Sequence, residues 1–278
     1  MKNTAVPHEL KTVGVVGAGR MGTPVIGHLA RKGIATLACD LNPARASAVQ
    51  ALGARWVASP ESLAAECDAI LVCVGFDREV QALLAGSGPL RYARPGTVVA
   101  ILSTIHPRSV QTLAKECERA QLHVVDSTVC RGGEAADRGT LLSFVGGSAE
   151  IVERLTPVLR AYSADVVHTG GVGTAQVAKA VNNLILWACL VADHEGLALA
   201  RQYGADIEAL RKALLISSCA NGPLEKWGTQ TMAWAEDDMA IVAEMAAESG
   251  IALPQAGVNR EICRALKPRR YQLDRYGR

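Results

Sequence analysis

Apolar and polar positions change their period once along the chain. In the first 170 residues, short β-branched runs alternate with stretches whose apolar residues recur every three or four positions. TVGVVG precedes PVIGHLARKG, TLACD precedes PARASAVQALG, AILVCVG precedes DREVQALLAG, and TVVAILS precedes PRSVQTLAKECERA. HVVDSTV, LLSFVGG and ADVVHTG read as further strands, with AEIVERLTPVLRAYS as a helix between the last two. The glycines of CRGG, residues 130–133, read as the turn after HVVDSTV. Strands regularly separated by helices predict an α/β fold, a Rossmann-type doubly wound parallel sheet covered on both faces.

After Gly173 the strand pattern stops. From Thr174 to Gln202 the chain has no proline and one interior glycine, Gly196, which predicts a single helix of roughly 45 Å at about 1.5 Å per residue. ADIEALRKALLI, AEDDMAIVAEMAAES and PQAGVNREICRALK keep the helical spacing. The expected organisation is a dinucleotide-binding domain over 1–170, a long interdomain helix over 171–202 and an all-α C-terminal domain over 203–278.

Gly17-Ala18-Gly19-Arg20-Met21-Gly22 lies between the first strand and the first helix. In that setting a G-x-G-x-x-G makes a tight turn and lets the backbone approach a pyrophosphate at the helix N-terminus. The next strand ends at Asp40, about 20 residues further on, where an acid meets the ribose 2′-hydroxyl. A carboxylate there repels a 2′-phosphate, so NAD is the expected cofactor. Arg45 keeps NADP open as the lesser choice, and Asp40 also reads as a turn residue opening LNPAR.

The remaining composition narrows the field. The chain has 278 residues, 49% hydrophobic and 20% charged, with a net charge of +2. That balance suits a globular protein and gives nucleic-acid binding little electrostatic support. MKNTAVPHEL has no secretory pattern, and the longest uninterrupted apolar stretch, LILWACLVA at 184–192, falls short of the roughly 18 residues a span needs. A cytoplasmic protein with no membrane partner is expected. Eight cysteines without a C-x-x-C pair read as reduced core residues, and no metal is expected. Asp193-His194-Glu195 is no cluster on a helix, since consecutive residues point apart, and His106 reads as a loop histidine.

In GGVGTAQVAKAVNN, residues 170–183, Lys179, Asn182 and Asn183 share a helical face with Val172, Ala175, Ala178 and Leu186. Such groups are rarely buried without partners. They hydrogen-bond across an interface, snorkel to water, or serve as a general acid/base beside a substrate anchor in a cleft.

With these motifs placed, the sequence resembles the β-hydroxyacid dehydrogenase family, whose type member is 3-hydroxyisobutyrate dehydrogenase. GAGRMGTPVIGHL looks like the family's G-x-G-x-M-G-x-P-x-x-x-x-L, STIHP at 103–107 like its S-T-x-x-P, and GGVGTAQVAKAVNN like G-x-x-G-x-G-x-x-x-K-x-x-N-N. The resemblance implies Lys179 as catalytic acid/base, Asn183 as substrate anchor and Thr104 beside the nicotinamide. Gly17, Gly19, Arg20, Met21, Gly22, Asp40 and Val74 complete the expected cofactor positions. It also implies a small acidic substrate, hydride transfer between NAD and its alcohol, and a homodimer or homotetramer.

Three departures stand out. Ala175 replaces a motif glycine, and Asp237-Asp238-Met239 stands where the family has K-D-L. The family's D-A-P-V-S-G-G becomes Asp126-Ser127-Thr128-Val129-Cys130-Arg131-Gly132. Cysteine is a weak donor, whereas arginine offers a planar fork of N–H groups. Cys130, Arg131 and Gly132 are therefore the expected substrate contacts, with Arg131 clamping the acid group, as an arginine does in sulfolactaldehyde reductases. Arg131 turned outward to Glu134, Asp137 or water is the competing reading. An imine reductase on the same scaffold, which usually lacks the lysine, and a non-catalytic dinucleotide sensor are the other functions considered.

Overall fold

The computed structural model describes residues 9–276. The opening MKNTAVPH, read above for a leader, lies outside them, as do the last two residues. The chain divides into two compact units, 1–179 and 180–278.

Eight strands of the first unit form one sheet: β1 Thr12–Val16, β2 Ala35–Cys39, β3 Arg55–Trp56, β4 Ala69–Val72, β5 Val98–Ile101, β6 His123–Cys130, β7 Leu141–Gly146 and β8 Ser163–Gly170. Their spatial order is β3-β2-β1-β4-β5-β6-β7-β8. Successive residues feed opposite faces: Ala69 and Leu71 pack in one core, Ile70 and Val72 in the other. Both faces being covered explains why these strands read as continuous apolar runs.

Helices α1 Gly22–Arg31, α2 Ala46–Ala51, α3 Pro60–Ala64, α4 Asp77–Leu84, α5 Pro107–Glu118, α6 Gly132–Arg138 and α7 Ala149–Leu159 surround the sheet. Val25, Ile26 and Leu29 of α1 and Leu155 of α7 fill one core; Leu63 of α3, Val80 of α4 and Val110 of α5 fill the other.

The sheet departs from an all-parallel expectation at one place: β6 and β7 run antiparallel. A parallel return needs a crossover of a dozen or more residues, and only residues 131–140 connect these two strands. The predicted glycine turn is also corrected, because Gly132 and Gly133 open the short helix α6 and the left-handed backbone begins at Arg131. The two-residue β3 and five-residue α3 are too short to show a period.

Helix α8 spans Thr174–Gln202. Its first turn is held by the fully buried Asp126 of β6, whose Oδ1 accepts from Gly173 N at 2.8 Å and Oδ2 from Gln176 N at 2.9 Å. A carboxylate is well matched to the unpaired N–H groups and positive end of a helix. Burial nevertheless raises its pKa, against the lowering effect of those bonds. By length and composition α8 is apolar enough to cross a membrane, contrary to the count of uninterrupted apolar residues. Ala180, Trp187, Leu190 and Val191 of this helix pack with Met239 and Cys263 in the second unit.

That unit is helical throughout, with α9 Ile207–Leu214, α10 Gly222–Glu225, α11 Ala235–Ser249 and α12 Pro254–Leu266 following α8. Buried His194 bonds through Nδ1 to Leu190 O at 2.7 Å and accepts at Nε2 from Tyr271 N at 3.0 Å. Its ring packs on Trp227 and Tyr271. Trp187 Nε1 donates to Asp238 Oδ2 at 2.9 Å, so this acid of the Asp-Asp-Met segment serves a packing contact.

Two outcomes are expected. Asp126→Asn places an amide donor against a backbone N–H and lowers unfolding stability by about 1–3 kcal/mol, read from denaturant midpoints. Desolvation lowers the His194 pKa in the folded chain, so the folded state binds fewer protons than the unfolded one. Stability is therefore full above about pH 6.5 and declines as pH falls below it, which unfolding measured from pH 8 down to about pH 5 will show.

Candidate active site

Strands β1, β2, β4, β5 and β6 are mutually parallel, so their carboxyl ends share one edge of the sheet. Gly17, Asp40, Val74, Thr104 and the Cys130–Gly132 segment all follow or end those strands. Ligands of open α/β sheets bind outside such carboxyl ends.

At β1 the glycine loop is sterically obligatory. Gly17 has φ +99° and a Cβ there would lie 2.3 Å from Cys73 O; one on Gly22 would lie 1.9 Å from Gly17 O. Gly19 differs, since a Cβ on it would meet nothing within 4 Å. The loop thus closes on itself at two glycines and leaves an open backbone face at the third, which fits a pyrophosphate. Met21 precedes α1 and packs on the core beside the sheet.

Asp40 braces this loop: its Oδ2 accepts from Ala18 N at 2.7 Å and its Oδ1 from Asn42 N at 2.8 Å. Arg45 donates to Ala18 O at 2.7 Å, with Nε 3.6 Å from Asp40 Oδ1. Asp40 thus stands at the end of β2 and opens the LNPAR turn.

Arg20 reaches from the loop to α6 and donates to both oxygens of Asp137, each at 2.7 Å. The bidentate pair holds the exposed Asp137 carboxyl below its usual range. His28 of α1 adds a second tie, its Nε2 lying 3.0 Å from Ala136 O. The dinucleotide loop is therefore fastened to the helix that follows the Cys130–Gly132 segment.

Val74 and Thr104 are coupled by Ser103, whose hydroxyl donates to Val74 O at 2.8 Å and accepts from Val74 N at 3.0 Å. Ser103 and Ile105 are buried, whereas Thr104 between them is partly exposed. The buried Gln176 side chain holds both flanks, accepting from Ile105 N at 3.0 Å and donating to Ser103 O at 2.8 Å. His106 caps α5 by accepting from Arg108 N at 3.2 Å.

One turn beyond Gln176, Lys179 Nζ donates to Val129 O at 2.8 Å and lies 3.9 Å from Cys130 Sγ. Lysine, threonine loop and glycine loop thus converge at one end of the sheet. Asn183 lies four residues further along α8 and accepts from Asn182 Nδ2 at 3.0 Å.

Arg131 adopts φ +84°, a left-handed conformation that costs an ordinary residue about 1–2 kcal/mol. Its guanidinium pairs with Asp165 Oδ2 of β8 at 2.6 Å and with Thr140 O at 3.2 Å. The nearer acids considered from the sequence are engaged elsewhere, Glu134 with Arg138 and Asp137 with Arg20.

Gln176, Ser103, Asp126 and Asp165 were not singled out from the sequence. Ser103 and Asp126 open motif segments quoted above, and Gln176 shares the helical face of Lys179 at a spacing of three; Asp165 carried no signal.

Fold and loop together define a dinucleotide-binding protein of the Rossmann class. The profile of the NAD binding domain of 6-phosphogluconate dehydrogenase matches residues 12–171, and that of the NAD-binding region of NADP-dependent 3-hydroxyisobutyrate dehydrogenase matches 173–274. The chain is 29% identical to 2-(hydroxymethyl)glutarate dehydrogenase of Eubacterium barkeri, covering 90% of this chain and 87% of that one. It is 30% identical to the NAD-dependent L-serine dehydrogenase of Pseudomonas aeruginosa, covering 78% and 73%. The solved structure of Mycobacterium tuberculosis 3-hydroxyisobutyrate dehydrogenase with L-serine superposes with a TM-score of 0.84 at 23% identity, covering 94% of each chain. The chain belongs to the β-hydroxyacid dehydrogenase family. It is an NAD(P)-dependent hydroxyacid dehydrogenase.

Arg131→Gly exchanges a strained residue for one at ease with positive φ and gives up an ion pair about half exposed to solvent. Such pairs contribute about 0–1 kcal/mol, so the variant is expected to equal or exceed the parent in stability by up to about 1 kcal/mol. Urea unfolding checks this; a loss larger than about 1 kcal/mol would mean that the Asp165 pair outweighs the strain.

Proposed function

We propose that the chain oxidises a small 3-hydroxy acid with NAD, or reduces the matching semialdehyde or keto acid, using Lys179 as general base and acid. The observation that carries this reading is the placement of Lys179 Nζ on the Val129 carbonyl at the end of β6, on the sheet edge that also carries the glycine loop and Thr104. In the oxidative direction Lys179 takes the hydroxyl proton while the carbinol carbon gives up its hydride, and it returns that proton in reverse. The bound nicotinamide supplies hydride acceptance and donation. Val129 O fixes the Lys179 nitrogen, and Thr104 would border the nicotinamide.

Arg131, Gly132 and Asn183 hold the substrate's acid group, with Cys130 beside Lys179. The incoming anion exchanges for Asp165 on the Arg131 fork. A left-handed backbone maintained under a side chain other than glycine supports a role for that side chain, since such strain clusters at functional sites. Gly17, Gly19, Arg20, Met21, Gly22, Asp40 and Val74 form the cofactor site. Asp40 favours NAD by charge, and Arg45, engaged with Ala18 O, offers a weak alternative for NADP.

A second copy of the chain covers the exposed Val181, Ile185 and Leu199 of α8, making a homodimer or homotetramer. The eight cysteines, none of them in a disulfide, suit a reducing cytoplasm.

The test is the initial rate of NADH and NADPH formation at mildly alkaline pH across matched 3-hydroxy acids bearing a carboxylate or a sulfonate. NADH formation with an acid-headed alcohol is expected, and Lys179→Ala should lower kcat by about 10²–10⁴-fold while NADH still binds. Full activity in that variant would overturn the assignment of Lys179. The preferred head group reports what Arg131 selects.

A further inference from the structure

We infer that Gln176 is a positioning residue of the hydride-transfer step, acting through Thr104; the inference rests on the dehydrogenase reading above. Thr104 lies in an irregular segment between β5 and α5, with no ladder hydrogen bonds to fix its orientation. The two peptide groups that flank it are instead taken by one side chain. Gln176 Nε2 donates to Ser103 O at 2.8 Å, and Oε1 accepts from Ile105 N at 3.0 Å. A neutral planar amide presents a donor and an acceptor side by side, whereas a carboxylate or an ammonium supplies only one kind.

The clamp is itself immobilised. Gln176 is 1% exposed, and its backbone N–H donates to the buried Asp126 carboxylate. On the far side, Ser103 transmits the restraint to Val74 through two hydrogen bonds. Lys179 stands one turn further along the same helix, with its Nζ on Val129 O. The placement of the proton-accepting amine relative to the Thr104 loop is therefore set by one buried amide on one rigid helix turn. Misplacing reacting groups by about 1 Å costs up to about 10²-fold in rate. A residue that fixes this relation should act on the chemical step while leaving ground-state affinity largely intact.

Full-length wild type is compared with Gln176→Met, which keeps the side-chain length and loses both bonds, and with Gln176→Glu, which keeps the acceptor for Ile105 N. The readouts are kcat and KM for the best substrate of the panel, the primary deuterium isotope effect with substrate labelled at the carbinol carbon, NADH affinity and thermal midpoint. Gln176→Met is expected to lower kcat about 10–100-fold and to raise the isotope effect on kcat, with KM and NADH affinity within about twofold of wild type. Should Gln176→Met not fold, Gln176→Glu must show the same pattern. An unchanged kcat and isotope effect would overturn the inference, as would a parallel loss of NADH affinity and thermal midpoint with the isotope effect unmoved. A wild type that oxidises no hydroxy acid would overturn the dehydrogenase reading and this inference with it, whereas an active wild type matched by its Gln176 variants overturns this inference alone.

Discussion

One buried carboxylate organises the end of the sheet that carries Lys179 and the Thr104 segment. Asp126 comes from β6 and accepts the N–H groups of Gly173 and Gln176, so it fixes both the start and the rotation of α8. Rotation matters because a helix presents a new face about every 100°. With Gln176 held against Asp126, its side chain faces the Ser103–Ile105 segment and Lys179 falls over the Val129 carbonyl. The room for this contact is also specific: a Cβ on Gly146 would lie 2.5 Å from Asp126 Oδ1. Buried charge is costly unless it is paired or fully hydrogen-bonded, and here the start of a 29-residue helix supplies the partners.

A second set of contacts joins loops that carry different tasks. Arg20 and His28 tie the glycine loop and α1 to Asp137 and Ala136 of α6, and α6 begins directly after Arg131. Ser103 ties Val74 to the Thr104 segment. The glycine loop, the threonine loop and the helix that follows the Cys130–Gly132 segment are consequently connected by side-chain bonds as well as through the sheet. Individually the exposed pairs contribute little stability; their effect is geometric, since they fix how the loops stand relative to each other.

Arg131 is the clearest case of a local rule broken at the site. Where the family pattern has glycine, this chain carries a cation on a left-handed backbone, paired with Asp165.

Much of this was legible in the sequence because it is encoded locally. The strand and helix periods, the break after Gly173, the Thr174–Gln202 helix and the glycine loop each follow from residues close in the chain. So does the face carrying Lys179. What required the tertiary structure was every relation between distant segments. The sheet reverses at β7 because residues 131–140 are too few for a crossover, a limit visible only once β6 and β7 are known to be neighbours. Arg131 finds Asp165 rather than the nearer Glu134 or Asp137 because those acids are already paired. Gln176 meets Ile105 and Ser103 from 71 and 73 positions away, and Asp126 meets Gly173 from 47. Periodicity is a property of neighbouring residues and survives in the sequence; the pairing of one buried donor with one buried acceptor is decided by packing, and only the folded chain contains it.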